Sequence, residues 1–335
     1  MELQLEPDKC LRVRTAANIC DNCVKVCPSQ AIEISNGFRI DKEKCDTCGL
    51  CAGTCPTEAL MLDQHSYHQL IGRAREKRKI AFTCEQNPLL GVINLPCLGY
   101  LSETLLIGLV LNCNRIRLVF AAEKCASCNR QAGALIEERL IRVQAMASRL
   151  GKEGVLLVDN GEEEEVLTKR EFFSFLKDRI VTLTYSGWED KRARKGKKLL
   201  PAAREFLLNS TGQSLKPGSQ LMLSGGNWPF AQIEVDERCT GCQVCTQICP
   251  TGALQINDDD EEKELRHTPA LCLNCGACAD YCPQQAVSQG DKVDLGKVVA
   301  ATSFPLRKIH QKRFWQECEP EFLHRSKAKK LLLKF

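Results

Sequence analysis

CTGCQVCTQICP, residues 239–250, and CLNCGACADYCP, residues 272–283, decide how the chain is read. Each is C-x2-C-x2-C-x3-C-P: Cys239, Cys242, Cys245 and Cys249 before Pro250, then Cys272, Cys275, Cys278 and Cys282 before Pro283. A cubane iron–sulfur cluster needs four thiolates around one small volume. A run of this kind wraps three of them around one core and sends the fourth to the neighbouring cluster. Glycines such as Gly241 and Gly276 let the backbone turn in close, and the proline ends backbone pairing. The spacing therefore predicts one 4Fe-4S cluster on Cys239, Cys242, Cys245 and Cys282. It predicts a second on Cys272, Cys275, Cys278 and Cys249. Zinc also accepts four thiolates, but its sites pair two C-x2-C units across a longer spacer. Here a third cysteine follows at once.

The N-terminal stretch carries the pattern again. Cys45, Cys48, Cys51 and Cys55-Pro56 form an intact run, with Gly49 as its small residue. Its companion is stretched: Cys10, then the insert LRVRTAANI at 11–19, then Cys20, Cys23 and Cys27-Pro28. By the crossing rule, Cys45, Cys48, Cys51 and Cys27 hold one 4Fe-4S cluster. Cys20, Cys23 and Cys55 hold another, if the insert lets Cys10 complete it. Each Cys-Pro is followed by a turn and a short strand (AIEIS at 31–35, ALML at 59–62, ALQI at 253–256, AVSQ at 286–289), an internal repeat at two scales. Asn36-Gly37 marks a hairpin. The corresponding loop of the second copy is lengthened by the acidic run Asp258–Glu264, a solvated loop or a docking face for a basic partner.

Twenty-two cysteines, most in C-x2-C spacing, suit metal binding in a reducing compartment better than disulfides. MELQLEPDK lacks the apolar core of a signal peptide. Leu105 to Leu111, the longest apolar run, is about a third of a bilayer span. A cytoplasmic protein without a membrane span is expected. The formal charge of +4 counts every cysteine as neutral. Four thiolate-held cubanes at roughly −2 each would bring the loaded chain to about −4. That argues against a nucleic-acid partner, and the basic block KRARKGKK at 191–198 is read as a solvated helix end or linker.

Between the two cysteine-rich ends the pattern changes. KIAFTC (79–84), GVINLPC (91–97), IRLVFAAEKC (116–125) and GVLLVDN (154–160) read as strands. LGYLSETLLIGLVLN (98–112) and the amphipathic stretch to Gly151 read as helices. Strands alternating with helices predict an α/β domain with a largely parallel sheet. Three strand ends on one edge of such a sheet converge, so Cys84, Cys97, Cys125 and Cys128 can meet. They could hold metal; alternatively Cys84 and Cys97 are buried small hydrophobes and Cys125/Cys128 a redox pair. Cys113 and Cys318 read as free cysteines. The five histidines form no spaced metal set and read as surface residues. The expected segments are 1–64, 65–212, a linker at 213–232, 233–292, and a basic tail at 293–335.

Residues 10–63 and 236–290 resemble bacterial-type dicluster ferredoxin domains, which implies two α+β modules flanking the α/β domain. The middle is similar to the small iron–sulfur (delta) subunit family of hydrogenases that work with heterodisulfide reductase. Cys84, PCLGYLSETLLIGLVL from Pro96, and IRLVFAAEKCASC up to Cys128 carry that resemblance. It implies a 2Fe-2S cluster on Cys84, Cys97, Cys125 and Cys128. It also implies redox partners: a flavoprotein, hydrogenase, formate dehydrogenase or heterodisulfide-reductase-like subunit. The chain departs from that family in its C-x2-C at 125–128 and its single cysteine at 84.

No G-x-G-x-x-G, P-loop, C-x-x-C-H or acid–base pair stands out. Electron transfer between protein partners is the expected function. A reductase with a substrate site in the middle domain and a redox-responsive binding protein are the alternatives.

Overall fold

The computed structural model describes residues 2–15, 20–35, 37–160, 200–215, 221–224, 228–257 and 263–309. Several expectations fall outside these: the basic block at 191–198 and the helical pattern around it, insert residues 16–19, Asn36, and most of the acidic run. Gly225-Gly226, Cys318, His310, His324 and the end of the tail fall outside too.

In the N-terminal region, the strand Leu3–Leu5 pairs antiparallel with Leu60–Leu62, and Ile32–Glu33 pairs with Arg39–Ile40. The C-terminal region repeats this: Gln232–Val235 pairs with Val287–Gly290, and Leu254–Asn257 with Lys263–His267. The outer pairing closes each region and brings the end of its second cysteine run back to its start. In the second copy Phe304–Ile309 adds a third strand to the inner hairpin, with an irregularity between Leu265 and Arg266. This part of the expected basic tail packs back on the body.

The middle is a four-stranded parallel sheet in the order Ile93–Leu95, Lys79–Cys84, Arg115–Val119, Leu156–Asp159. Phe82 sits opposite Ile93 on one side and Leu118 on the other. The third strand is shorter than IRLVFAAEKC suggests. It stops at Val119, and Cys125 stands on the short helix Ala122–Ala126. Ser102 caps the helix Glu103–Asn112, accepting from Leu105 N. That helix is buried from Leu105 to Asn112 and is therefore apolar all round. It lies against the helix Ala202–Ser214, where a side chain at Gly108 would strike the Phe206 ring.

Within the expected linker at 213–232, the described residues include paired and buried ones. Met222–Ser224 pairs with Lys292–Asp294, and Trp228 and Phe230 are buried. One apolar cluster runs from Leu3, Leu50 and Leu60 through Phe82 and Leu105 to Phe206, Phe230, Val293 and Val298. Each such fully buried side chain contributes roughly 1.5–3 kcal/mol; the N-terminal region, the middle and the flanks of the C-terminal module share this core, while Ile233, Leu254, Leu265 and Val287 form a second cluster inside that module.

Candidate metal centres

The local geometry after each Cys-Pro is the same four times. The third residue past the cysteine has positive φ: Gln30 and Glu58 at 51°, Gly252 at 72°, Gln285 at 49°. The turn aims the next amide back at the sulfur. Ala31, Ala59, Ala253 and Ala286 donate their N–H to Cys27, Cys55, Cys249 and Cys282 Sγ at 3.3, 3.3, 3.2 and 3.3 Å. Inside the intact runs a second pair of left-handed residues, Thr47 and Gly49, Gly241 and Gln243, Asn274 and Gly276, bends the loop around its cysteines. Left-handed backbone at threonine, glutamine and asparagine is costly and persists where the surroundings impose it.

These loops form hollows. One of about 380 Å³ is lined by Cys239, Cys242, Cys245 and Cys282, with Ile256, Leu265 and Val287 as apolar wall; it is the Cys239 site. One of about 360 Å³ is lined by Cys249, Cys272, Cys275 and Cys278; it is the Cys272 site. In both, three cysteines come from one run and the fourth from the other. Cys10, Cys20, Cys23 and Cys55 line a third hollow of about 380 Å³, the Cys20 site. Cys10 reaches it because Arg12 fastens the insert, donating to Ile34 O at 3.1 Å and Cys20 O at 3.2 Å. The fourth quartet, the Cys45 site, centres on the buried Cys51, whose thiol is raised by burial and then by Cys48, Cys23, Cys27 and Cys45.

Burial likewise pushes Cys23, Cys48, Cys245 and Cys275 up to about 12. Thiols crowded in an apolar hollow hold their protons until a cationic core displaces them. Among the described residues no three ligating side chains converge tightly enough for a single ion.

The walls fit an anionic, sulfur-rich body. His267, expected at the surface, is fully buried on the wall of the Cys272 site, with neither ring nitrogen bonded. Its strand alternates, and the inward face falls on the histidine. Burial pushes it down to about 4, so it stays neutral. Thr240 Oγ1 is similarly buried without a partner beside Cys239. Arg204 is 1 % exposed and donates to the carbonyls of Pro229, Pro269, Ala270 and Cys272. Burial pulls it down to about 10, and the Cys272 thiolate is the charge that opposes this. A buried cation beside the Cys272 quartet, with the orphan His267 on its wall, matches a cluster of net negative charge.

In the middle domain the structure brings the four expected cysteines to the carboxyl edge of the sheet. Cys84 ends its strand, Cys97 follows the edge strand, and Cys125 and Cys128 follow the third. Burial pushes Cys97 up to about 11, with Cys84 and Cys125 adding to it and Arg130 opposing. Cys125 is raised by burial, then by Cys84 and Cys128. Arg130 pairs with Asp46 at 3.0 Å and Glu85 at 3.6 Å and donates to Pro96 O. Cys113 lies apart, buried against Ala74 O. His267, Arg204 and Arg130 were not singled out from sequence; a histidine on the inward face of the second hairpin was the one available signal.

A family model described as a 4Fe-4S dicluster domain matches residues 18–59 and 238–286. The chain is 42% identical over 64 residues to indolepyruvate oxidoreductase subunit IorA of Pyrococcus horikoshii, which covers 19% of this chain and 9% of that protein. It is 35% identical over 82 residues to pyruvate synthase subunit PorD of Methanothermobacter marburgensis, 24% of this chain and 93% of PorD. Polyferredoxin MvhB of the same organism is 35% identical over 86 residues, 22% of this chain and 20% of MvhB. The chain thus spans less than a tenth of IorA and nearly all of PorD. It belongs to the 4Fe-4S dicluster domain family and carries that domain at both ends. Among the described residues no helix is long and apolar enough to cross a membrane.

Proposed function

We propose that the chain is an electron-transfer subunit of a larger oxidoreductase assembly. Its four ferredoxin-type quartets each hold a 4Fe-4S cluster: Cys239, Cys242, Cys245, Cys282; Cys272, Cys275, Cys278, Cys249; Cys45, Cys48, Cys51, Cys27; and Cys20, Cys23, Cys55, Cys10. Cys84, Cys97, Cys125 and Cys128 hold a fifth, 2Fe-2S centre. The observation that carries this reading is the crossed quartet: in each module three thiols of one run meet the fourth of its partner around an apolar hollow.

When bound, the clusters supply reversible one-electron chemistry. The protein's part is to hold the thiolates, aim amide N–H groups at them and exclude water. The IorA, PorD and MvhB names describe an oxidoreductase subunit, a pyruvate synthase subunit and a polyferredoxin, which supports a place beside other redox subunits. A flavoprotein, hydrogenase, formate dehydrogenase or heterodisulfide-reductase-like protein would serve as partner.

The test is a potentiometric titration of the anaerobically purified full chain followed by EPR. The reading expects at least four one-electron centres with 4Fe-4S signals. Fewer than two such centres in a chain fully loaded with iron and sulfide would overturn it.

A further inference from the structure

Leu11 to Thr15 is the described part of the insert that stretches the first cysteine run. It packs on the other module. Leu11 is buried in a small apolar cluster with Ile248 and Ala277, and Cys20, Val244, Cys275 and Tyr281 pack against the same cluster. Ile248 lies between Cys245 and Cys249, and Ala277 between Cys275 and Cys278. Tyr281 Oη donates to Thr15 Oγ1 at 2.7 Å, and Thr15 in turn donates to Leu11 O. A ligand of the Cys20 site and a ligand of the Cys272 site, 255 positions apart in sequence (275 − 20), thus flank one patch of side chains.

We propose that this insert is the splice that joins the two dicluster modules into one electron path, along which the sites follow the order Cys239, Cys272, Cys20, Cys45 and the middle-domain cysteines. The inference rests on the relay proposed above and adds its order. Within the C-terminal module the two sites interlock, Cys282 of the second run lining the Cys239 hollow and Cys249 of the first lining the Cys272 hollow. Within the N-terminal module, Cys55 of the second run lines the Cys20 hollow, and the helices Asn22–Lys25 and Leu50–Thr54 lie against each other.

The last junction is held sterically and by charge. Gly53, two residues past Cys51, fits so closely against the backbone of Gly99 and Tyr100 that no side chain could stand there. Arg130 spans the gap, pairing with Asp46 beside Cys45 and with Glu85 beside Cys84. Each step moves one electron: the giving site is oxidised by one, the receiving site is reduced by one, and no bond or proton changes place. Partners then dock at the two ends, the Cys239 site and the half-exposed Cys84, Cys125 and Cys128.

The test uses the full, iron-loaded chain. A photoexcited deazaflavin with a sacrificial amine delivers less than one electron per chain. Samples frozen at successive times then follow the electron between sites by EPR. In the unaltered protein the redistribution between the C-terminal module and the middle site should be independent of protein concentration.

Cys20→Ser with Cys23→Ser cuts the path in its interior, and Leu11→Glu parts the splice while leaving every ligand cysteine in place. Either change should abolish the concentration-independent phase while the other sites keep their signals. Persistence of that phase in both variants would overturn the order. Ile248→Glu repeats the cut from the opposite face should Leu11→Glu lose its own site. Failure of the relay itself would look different: the unaltered chain would lack the clusters altogether.

Discussion

Arg204 Nη2 donates to the carbonyl oxygen of Cys272 at 2.6 Å from a fully buried position. Its guanidinium also stacks over the Phe230 ring, 4.2 Å from the centroid. The residue therefore has two roles that substitution can separate: filling carbonyl acceptors and placing a positive charge beside the cluster site. Arg204→Met should cost roughly 3 kcal/mol by leaving buried carbonyls unpaired. It should lower the potential of the Cys272-site cluster by roughly 100 mV, as the loss of one charge-assisted interaction implies. Arg204→Lys should recover much of the potential and less of the stability. Denaturant midpoints and an EPR redox titration read the two effects apart.

His267 stands on the wall of the same site, its ring edge-on to Phe304 at 5.6 Å. A neutral imidazole has one N–H to give, and a cluster sulfur is the acceptor the hollow offers. His267→Phe should keep the packing and lower the potential of that cluster by roughly 40 mV, a hydrogen bond of about 1 kcal/mol converted at one electron. The potentials of the other clusters should not move.

Much of this was legible in the sequence, because a ligand run must bring its cysteines together whatever surrounds it. The inner hairpins and the parallel sheet follow from spacing and periodicity, and the ligand spacing is what the crossed quartets proposed above are read from. What spacing cannot express is long-range pairing. Leu3–Leu5 finds Leu60–Leu62 across both cysteine runs and the inner hairpin that separate them. The segment with Trp228 and Phe230 looks like a linker because its Pro and Gly hide two buried rings. Whether Cys10 could reach its site turned on Arg12, whose acceptors are backbone carbonyls that no motif records.

Glu58 caps the helix Ala202–Ser214, accepting from Ala202 N at 2.7 Å and Ala203 N at 2.8 Å. Pro201, at the cap position, has no side-chain acceptor of its own. Burial nonetheless pushes Glu58 up from 4.5 to about 7, against those two bonds. A raised carboxyl means the folded chain binds the proton more tightly than the unfolded one. Its contribution is fully present below pH 4.5 and is lost as pH rises through about 7. The unfolding midpoint should therefore fall between pH 4.5 and 7.5, by roughly 3 kcal/mol in stability. Glu58→Gln should flatten that dependence.

The middle-domain site and the buried Cys113 give a matched pair. Cys97→Ser should remove about two irons per chain and leave about sixteen. Cys113→Ser should remove none, since its sulfur faces Ala74 O and no other cysteine contributes to its raised pKa. Iron analysis of the two variants beside the parent checks both outcomes.

Iron and acid-labile sulfide per chain, measured on the full protein purified without oxygen, test the four-cluster account most directly. The crossed quartets predict about sixteen of each from four cubanes, rising to about eighteen with the 2Fe-2S centre, and no zinc. Fewer than about eight irons, or zinc in stoichiometric amount, would contradict it.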